Sequence, residues 1–260
     1  MTTRIITGVV LAVVAVVVVV HGGLVFFFLM LALALLGLSE FYRLTKQYRP
    51  LPLAGFVTLA LMLAAAWFMT PFAVFGAVCV GVLLTALLGL LAGPKRGVTV
   101  RMAVTLLGLL YLGLGFSALL MMRQLDVGTE AVLTVVFGTW AGDTMAYFTG
   151  KFFGSTPMAP VLSPKKTWEG FAGGAISTVL LVVFIGLYTP LGPVDSLLLG
   201  AVIAVAGPLG DLFESLIKRD VQIKDSGRGI PGHGGVLDRF DALIWASVAA
   251  YFVLTTVLGF

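Results

Sequence analysis

Apolar runs of about 20 residues recur along almost the whole of this 260-residue chain, and no other feature restricts its fold so tightly. Inside a bilayer each backbone amide must be satisfied within its own segment, so runs of this kind and number fold as transmembrane helices. Charged residues make up 11% of the chain, against about a quarter in a soluble domain. Nine spans fit, at roughly 5–21, 24–39, 54–69, 71–92, 102–122, 131–149, 170–188, 194–213 and 240–259. The expected fold is therefore an all-α polytopic membrane protein, a bundle of about nine transmembrane helices. The first two spans are short and joined by His21-Gly22-Gly23, so one long re-entrant hairpin is the alternative there. Arg4 and the apolar residues after it resemble a signal peptide, but no small-x-small cleavage site follows, and the segment reads as an uncleaved first span. Cys79 is the only cysteine, which rules out an internal disulfide.

Charge orients the spans. Arg4, Arg43, Lys46, Arg49, Lys95, Arg96, Arg101, Lys151, Lys165, Lys166, Lys218, Arg219, Lys224, Arg228 and Arg239 fall on one side if nine spans alternate, and only Arg123 falls on the other. Basic loops stay in the cytoplasm, so the N-terminus and loops 150–169 and 214–239 are expected inside, with the C-terminus on the far side of the cell membrane. The loops at 43–53 and 93–101 read as topology signals.

The ionisable groups are not spread evenly. Residues 211–241 hold six of the twelve acids and five of the sixteen bases, together with His233 and a run of glycines. On a helix, Asp211, Glu214, Ser215 and Lys218 share one face at i, i+3, i+4 and i+7, which serves either a polar site or a helix-stabilising ladder. Pro208 is expected to kink or loosen that helix. Five glycines between Gly227 and Gly235 free the backbone to present N–H groups to an anion, with His233 beside Gly234-Gly235. Asp238 and Asp241 then open the ninth span, flanking Arg239, at a helix N-terminus that suits acids in any case. Upstream, Asp143 lies inside an apolar helix, where a carboxylate costs roughly 2.5–3.5 kcal/mol and must face a cavity or a partner. Gly138 and Gly142 allow another helix to come close. In Ser163-Pro164-Lys165-Lys166-Thr167-Trp168-Glu169, Ser163 can cap a helix, Pro164 suits its first turn, and the two lysines would stand near phosphate-binding backbone. Oxygen ligands without a Cys/His cluster favour Mg²⁺ or Mn²⁺ over zinc, and lysines beside such acids point to phosphoryl or nucleotidyl transfer.

From Ser215 to Asp241 the sequence runs Ser215-x-x-Lys218-Arg219-x(4)-Lys224-Asp225-x-Gly227-x-x-Ile230-Pro231-x-His233-Gly234-Gly235-x-x-Asp238-Arg239-x-Asp241. This resembles the signature of the phosphatidate cytidylyltransferases, or CDP-diacylglycerol synthases, with no departure from it. Asp143-Thr144-x-Ala146-Tyr147-x-x-Gly150-Lys151-x-x-Gly154 and Ser163-Pro164-Lys165-Lys166-Thr167-x-Glu169-Gly170 resemble the same family. The motifs cover residues 138–241, and the first 130 residues match only in hydropathy.

The resemblance implies Mg²⁺-dependent transfer of CMP from CTP to phosphatidic acid, giving CDP-diacylglycerol and pyrophosphate for phospholipid synthesis. Residues 131–260 would be the catalytic helices and loops, and 1–130 the N-terminal helices of one compact bundle. Asp211 and Asp238 are expected as first metal ligands, then Asp241 and Asp143, and a second cation is compatible with the set. Lys165, Lys166, Lys218, Arg219 and Lys224 would meet phosphate, with the 165–166 pair serving CTP and the 218–219 pair the lipid headgroup. Ser163, Ser215, His233, Gly234, Gly235 and Arg239 complete the expected substrate-binding set. The bilayer is an expected partner, nucleic acid is not, and a homodimer is compatible. The alternatives are another membrane phospho-alcohol or polyprenyl-phosphate transferase, whose DG-x(2)-A-R…G-x(3)-D-x(3)-D pattern is absent, and an ion-coupled transporter. Against the transporter, the polar groups gather at one membrane face and no paired broken helices occur in two halves.

Overall fold

The computed structural model describes residues 2–94, 96–223 and 235–260, and of the side chains before residue 12 only those at 8 and 10. Lys95, Lys224, Arg228, His233 and Gly234 therefore lie outside the described residues. Nine α-helices are present among those described: α1 (Thr2–His21), α2 (Gly23–Leu44), α3 (Pro52–Phe68), α4 (Pro71–Leu91), α5 (Val98–Arg123), α6 (Gly128–Phe153), α7 (Trp168–Gly186), α8 (Gly192–Asp220) and α9 (Leu237–Thr256). They cover the nine expected apolar runs, with ends that agree to within four residues except for α2 and α8, which run five and seven residues further. Five of them, α2, α4, α5, α7 and α8, are long and apolar enough to cross a membrane by length and composition. Nine crossings are thus not all carried by helices of that quality. The apolar helix α3 has only 17 residues. In α6 and α9 the acids and small polar residues that interest chemistry dilute the apolar run.

Local sequence explains the breaks. Gly22 has φ 65° and separates α1 from α2, a conformation that favours glycine. Prolines open α3 and α4, where a missing N–H costs nothing. Among the described residues, one pair of strands interrupts the helices. β1 (Pro157–Ala159) and β2 (Ser163–Thr167) form an antiparallel hairpin, with Pro157 opposite Thr167 and Ala159 opposite Ser163. Ser163 is therefore a strand residue and not a helix cap; Thr167 caps α7, its Oγ1 accepting from the Gly170 N–H at 3.1 Å.

The chain divides into two compact units, residues 1–121 with 221–238, and residues 122–220 with 239–260. In the first, Tyr42 is the hinge of the packing. Its ring meets Phe56 edge-on, and its hydroxyl donates to the Thr105 carbonyl at 3.0 Å. Thr105 Oγ1 in turn accepts from the Leu51 N–H at 2.8 Å, and Arg101 Nε donates to the Arg49 carbonyl at 2.8 Å. The Arg101 guanidinium and the Thr105 hydroxyl thus tie down the chain between α2 and α3.

In the second unit, α6 and α7 pack through small residues spaced four apart. A Cβ on Gly174 would meet the Gly142 carbonyl at 2.7 Å and Ala146 at 3.0 Å, and one on Gly170 would meet the Ala146 carbonyl at 2.8 Å. Gly138, Gly142, Ala146 and Gly150 therefore face Gly170, Gly174 and Thr178 along small-xxx-small ridges, the contact that membrane helices use to bring backbones together. Thr178 Oγ1 donates to the Gly138 carbonyl at 3.0 Å across the seam. On α8, Gly210 receives the Asp241 backbone and Trp245 of α9, and the Phe213 ring meets Trp245 at a tilt, with centroids 5.4 Å apart.

Candidate active site

The α6–α7 seam opens at one end into a cavity of about 300 Å³. Its wall is built by four elements. From α6 come Thr139, Gly142, Asp143, Ala146 and Tyr147; from the hairpin, Met158, Lys165, Lys166 and Thr167; from α7, Gly170, Phe171, Gly174, Ala175 and Thr178; from α8, Ile203, Ala204, Gly207, Pro208 and Asp211. Thus Asp143 does face a cavity, as an acid inside an apolar helix must. Helix α8 stays helical through Pro208 rather than ending there. Pro208 has no N–H for the Ala204 carbonyl, and both residues line the cavity.

One ion pair stands among the charges inside. Lys166 Nζ meets Asp211 Oδ2 at 2.6 Å, with 22% and 36% of the two side chains exposed. Asp143 lies within electrostatic reach of Asp211, Lys166 and Arg239. Lys165 lines the same wall and is exposed. Two acids and two lysines therefore share one small space, which an anion bearing a divalent cation would satisfy.

The hairpin is held at both ends. At its base, Glu169 Oε1 accepts from Ser155 Oγ at 2.7 Å, both Glu169 oxygens accept from the Thr156 N–H at 3.2 Å, and the Trp168 N–H donates to the Thr156 carbonyl at 3.0 Å. At its tip, Arg219 Nε donates to the Leu162 carbonyl at 3.2 Å. The expected substrate-binding residue Ser163 sits half-buried in β2. In the sequence Glu169 suits the start of the seventh span and belongs to a family-like motif, and neither points to these bonds. Its partners lie 13 and 14 residues away, across a hairpin that no periodicity announces.

On α8 the i, i+4 ladder is formed. Ser215 Oγ donates to Asp211 Oδ1 at 3.4 Å, and Lys218 Nζ meets Glu214 Oε2 at 2.7 Å. Glu214 is 1% exposed and Lys218 15%, so the carboxylate end of this pair is buried. Lys218 and Arg219 stand outside the cavity lining. On α9, Asp241 is 9% exposed, accepts from the Ala242 N–H at 2.8 Å, and senses the charges of Glu214 and Asp211. Arg239 is exposed.

Asp238 and Gly235 belong to the other unit. There Asp238 Oδ2 accepts from the Gly235 N–H at 3.0 Å, closing the turn that leads into α9. The next helical N–H, of Leu237, donates to Glu40 Oε2 at 2.9 Å. Glu40 sits near the end of α2 and is 1% exposed. Its only signal in the sequence is an acid at the end of an apolar run.

No three Asp, Glu, His or Cys side chains among the described residues converge closely enough to hold a metal unaided. The donors present nevertheless suit Mg²⁺. That ion is commonly held by one or two carboxylates completed by substrate phosphates and water, and Asp143 and Asp211 supply two carboxylates in one cavity.

Residues 2–257 match the model of the cytidylyltransferase family. A phosphatidate cytidylyltransferase of Bacillus subtilis (strain 168) is 34% identical over 98% of this chain and 97% of its own length. A phosphatidate cytidylyltransferase of Aquifex aeolicus (strain VF5) is 43% identical over 50% of this chain and 49% of its own length. One of Mycobacterium bovis (strain ATCC BAA-935 / AF2122/97) is 44% identical over 49% of this chain and 42% of its own length.

Proposed function

The chain belongs to the phosphatidate cytidylyltransferase family, and we propose that it transfers CMP from CTP to phosphatidic acid at the cavity between α6, the hairpin and α8. The observation that carries this reading is the meeting of Asp143, Asp211, Lys165 and Lys166 in that one cavity. A phosphomonoester oxygen of phosphatidic acid attacks the α-phosphorus of CTP. A new P–O bond forms as the bond from the α-phosphorus to the bridging oxygen breaks, and pyrophosphate leaves with that oxygen. The attacking group is already anionic at neutral pH, so no strong general base is needed. What the site must do is bring two anions together and stabilise the charge of the pentacoordinate transition state.

Lys165 and Lys166 supply positive charge where the triphosphate would lie. The 2.6 Å pair with Asp211 holds Lys166 in place before substrate arrives. Asp143 and Asp211 would hold Mg²⁺, completed by substrate phosphates and water; Asp241 and Asp238 enter the proposal through the signature alone. When bound, the cation neutralises charge on the triphosphate oxygens and on the departing pyrophosphate. Arg219 uses its Nε on the hairpin tip, and its guanidinium has further donors for an anionic headgroup. Lys218 is engaged by Glu214, so its part in headgroup binding would be shared with that pair. The signature's Lys224, His233, Gly234 and Gly235, with Arg239, complete the proposed substrate contacts. The cavity would open to the cytoplasm, where CTP is found and where the positive-inside pattern puts its lysines.

The test is an acceptor panel. Purified protein with labelled CTP should label phosphatidic acid in the presence of Mg²⁺, and should leave diacylglycerol and polyprenyl phosphate unlabelled. Labelling of polyprenyl phosphate in preference, or no labelling of any lipid, would reject the reading.

A further inference from the structure

The buried acid Glu40 has no part in the chemistry above, yet it touches the family signature. It lies on α2 with 1% of its surface exposed, and its Oε2 accepts the Leu237 N–H at 2.9 Å in a buried bond linking positions 197 apart. Leu237 is the first residue of α9, so its N–H is one of the groups at a helix N-terminus that has no partner within the helix. Asp238 is the next residue, and its own carboxylate is turned back onto the Gly235 N–H at 3.0 Å. One turn before Glu40, Gly37 lies beside Val236 and Leu112: a Cβ there would touch the Val236 side chain at 4.0 Å and press on Leu112 at 3.2 Å. Val236 and Leu237 are 3% and 0% exposed.

We propose that Glu40 is a positioning residue that caps α9 from α2 and thereby fixes where Asp238 stands. The cap comes from another helix because the local one is missing. No Ser, Thr or Asn precedes α9 in the segment Gly234-Gly235-Val236, and the Asp238 side chain is spent on the turn before it. The seat for Asp238 is therefore made by residues almost two hundred positions upstream, in the half of the chain where the family motifs are absent. That Asp238 serves catalysis rests on the proposed function; the cap itself does not.

Two variants separate the hydrogen bond from shape and from folding. Glu40→Gln keeps an acceptor oxygen of the same reach, and Glu40→Met keeps the volume without a good acceptor. The first measurement is hydrogen exchange of the full chain in detergent, followed at residues 235–241. Losing a buried acceptor should speed exchange there about ten-fold in Glu40→Met. Glu40→Gln should match the unaltered protein, and the other helices should exchange as before in both. The second measurement is turnover of CTP with phosphatidic acid, where kcat should fall in Glu40→Met and recover in Glu40→Gln. Unchanged exchange at 235–241 in Glu40→Met would overturn the cap. Faster exchange throughout the chain would show Glu40 to be a general packing residue and would also overturn it. Equal loss in Glu40→Gln and Glu40→Met would refute the hydrogen-bond claim. Faster local exchange with undiminished turnover would keep the cap and reject its bearing on Asp238. An unaltered protein that fails to transfer CMP would count against the proposed function alone.

Discussion

Lys166 and Lys218 each meet an acid, but in different surroundings, and their alanine variants should behave differently. Lys166 and Asp211 are partly open to the cavity, so Lys166→Ala removes a phosphate contact and little stability. A charge-assisted bond of about 1.5–3 kcal/mol corresponds to a KM for CTP raised roughly ten- to a hundred-fold, with the melting temperature almost unchanged. Lys218→Ala instead takes the ammonium away from a carboxylate that is 1% exposed. Breaking such a buried pair costs on the order of 3–5 kcal/mol, and should appear as a clear fall in thermal stability. Equal melting temperatures for the two variants would contradict the distinction. The acids are the second residue-scale test. Asp143→Asn and Asp211→Asn should each lower turnover by about 10²-fold or more while the protein elutes and melts normally. Near-normal turnover in either would remove that residue from the site. Asp143 was legible as an acid that an apolar helix would not carry without a cavity. Glu40 and Glu169 were not, because an acid at a helix end is ordinary until the amides it receives, far away in sequence, come into view.

Among the elements, the α6–α7 seam sets the wall of the cavity, and its glycines are the place to disturb it. A Cβ at Gly174 would press on backbone, at 2.7 Å from the Gly142 carbonyl, so Gly174→Ala must push the two helices apart. Overpacking of this kind costs about 1–3 kcal/mol. Gly76 on α4 is the matched control, since a Cβ there meets nothing within 4 Å. Gly174→Ala should lower the melting temperature in detergent and reduce turnover; Gly76→Ala should do neither. Similar behaviour of the two would show that the seam is not tightly packed. The sequence announced this seam through Gly138 and Gly142 and placed all nine helices from apolar runs. It did not announce the hairpin. β1 and β2 have three and five residues, their residues do not alternate apolar and polar, and their pairing depends on a turn and on Glu169 rather than on any period. Ser163 and Pro164 looked like a helix start for the same reason: the real cap, Thr167, is four residues further on.

For the whole molecule, the orientation in the bilayer expected from charge can be checked across a single helix. α7 has 19 residues, with the exposed Val161 in the hairpin before it and the exposed Tyr188 just after its end. In a Cys79→Ala background, an impermeant maleimide added to intact cells should label Tyr188→Cys and leave Val161→Cys unlabelled until the membrane is opened. The reverse pattern would turn the protein over and put the cavity on the wrong side for CTP. Much of the site's chemistry was readable because ionisable groups are so rare in such a chain that their positions stand out. Which of them meet was not readable, since that depends on helix packing: the cavity joins Asp211 to Asp143 and Lys166, from three separate elements. The most direct measurement uses the purified protein, phosphatidic acid, Mg²⁺ and CTP labelled separately at the α- and γ-phosphates. The α-label should appear in the lipid and the γ-label in pyrophosphate, in equal amounts. A γ-label in the lipid, or pyrophosphate formed without labelled lipid, would contradict transfer of CMP to phosphatidic acid.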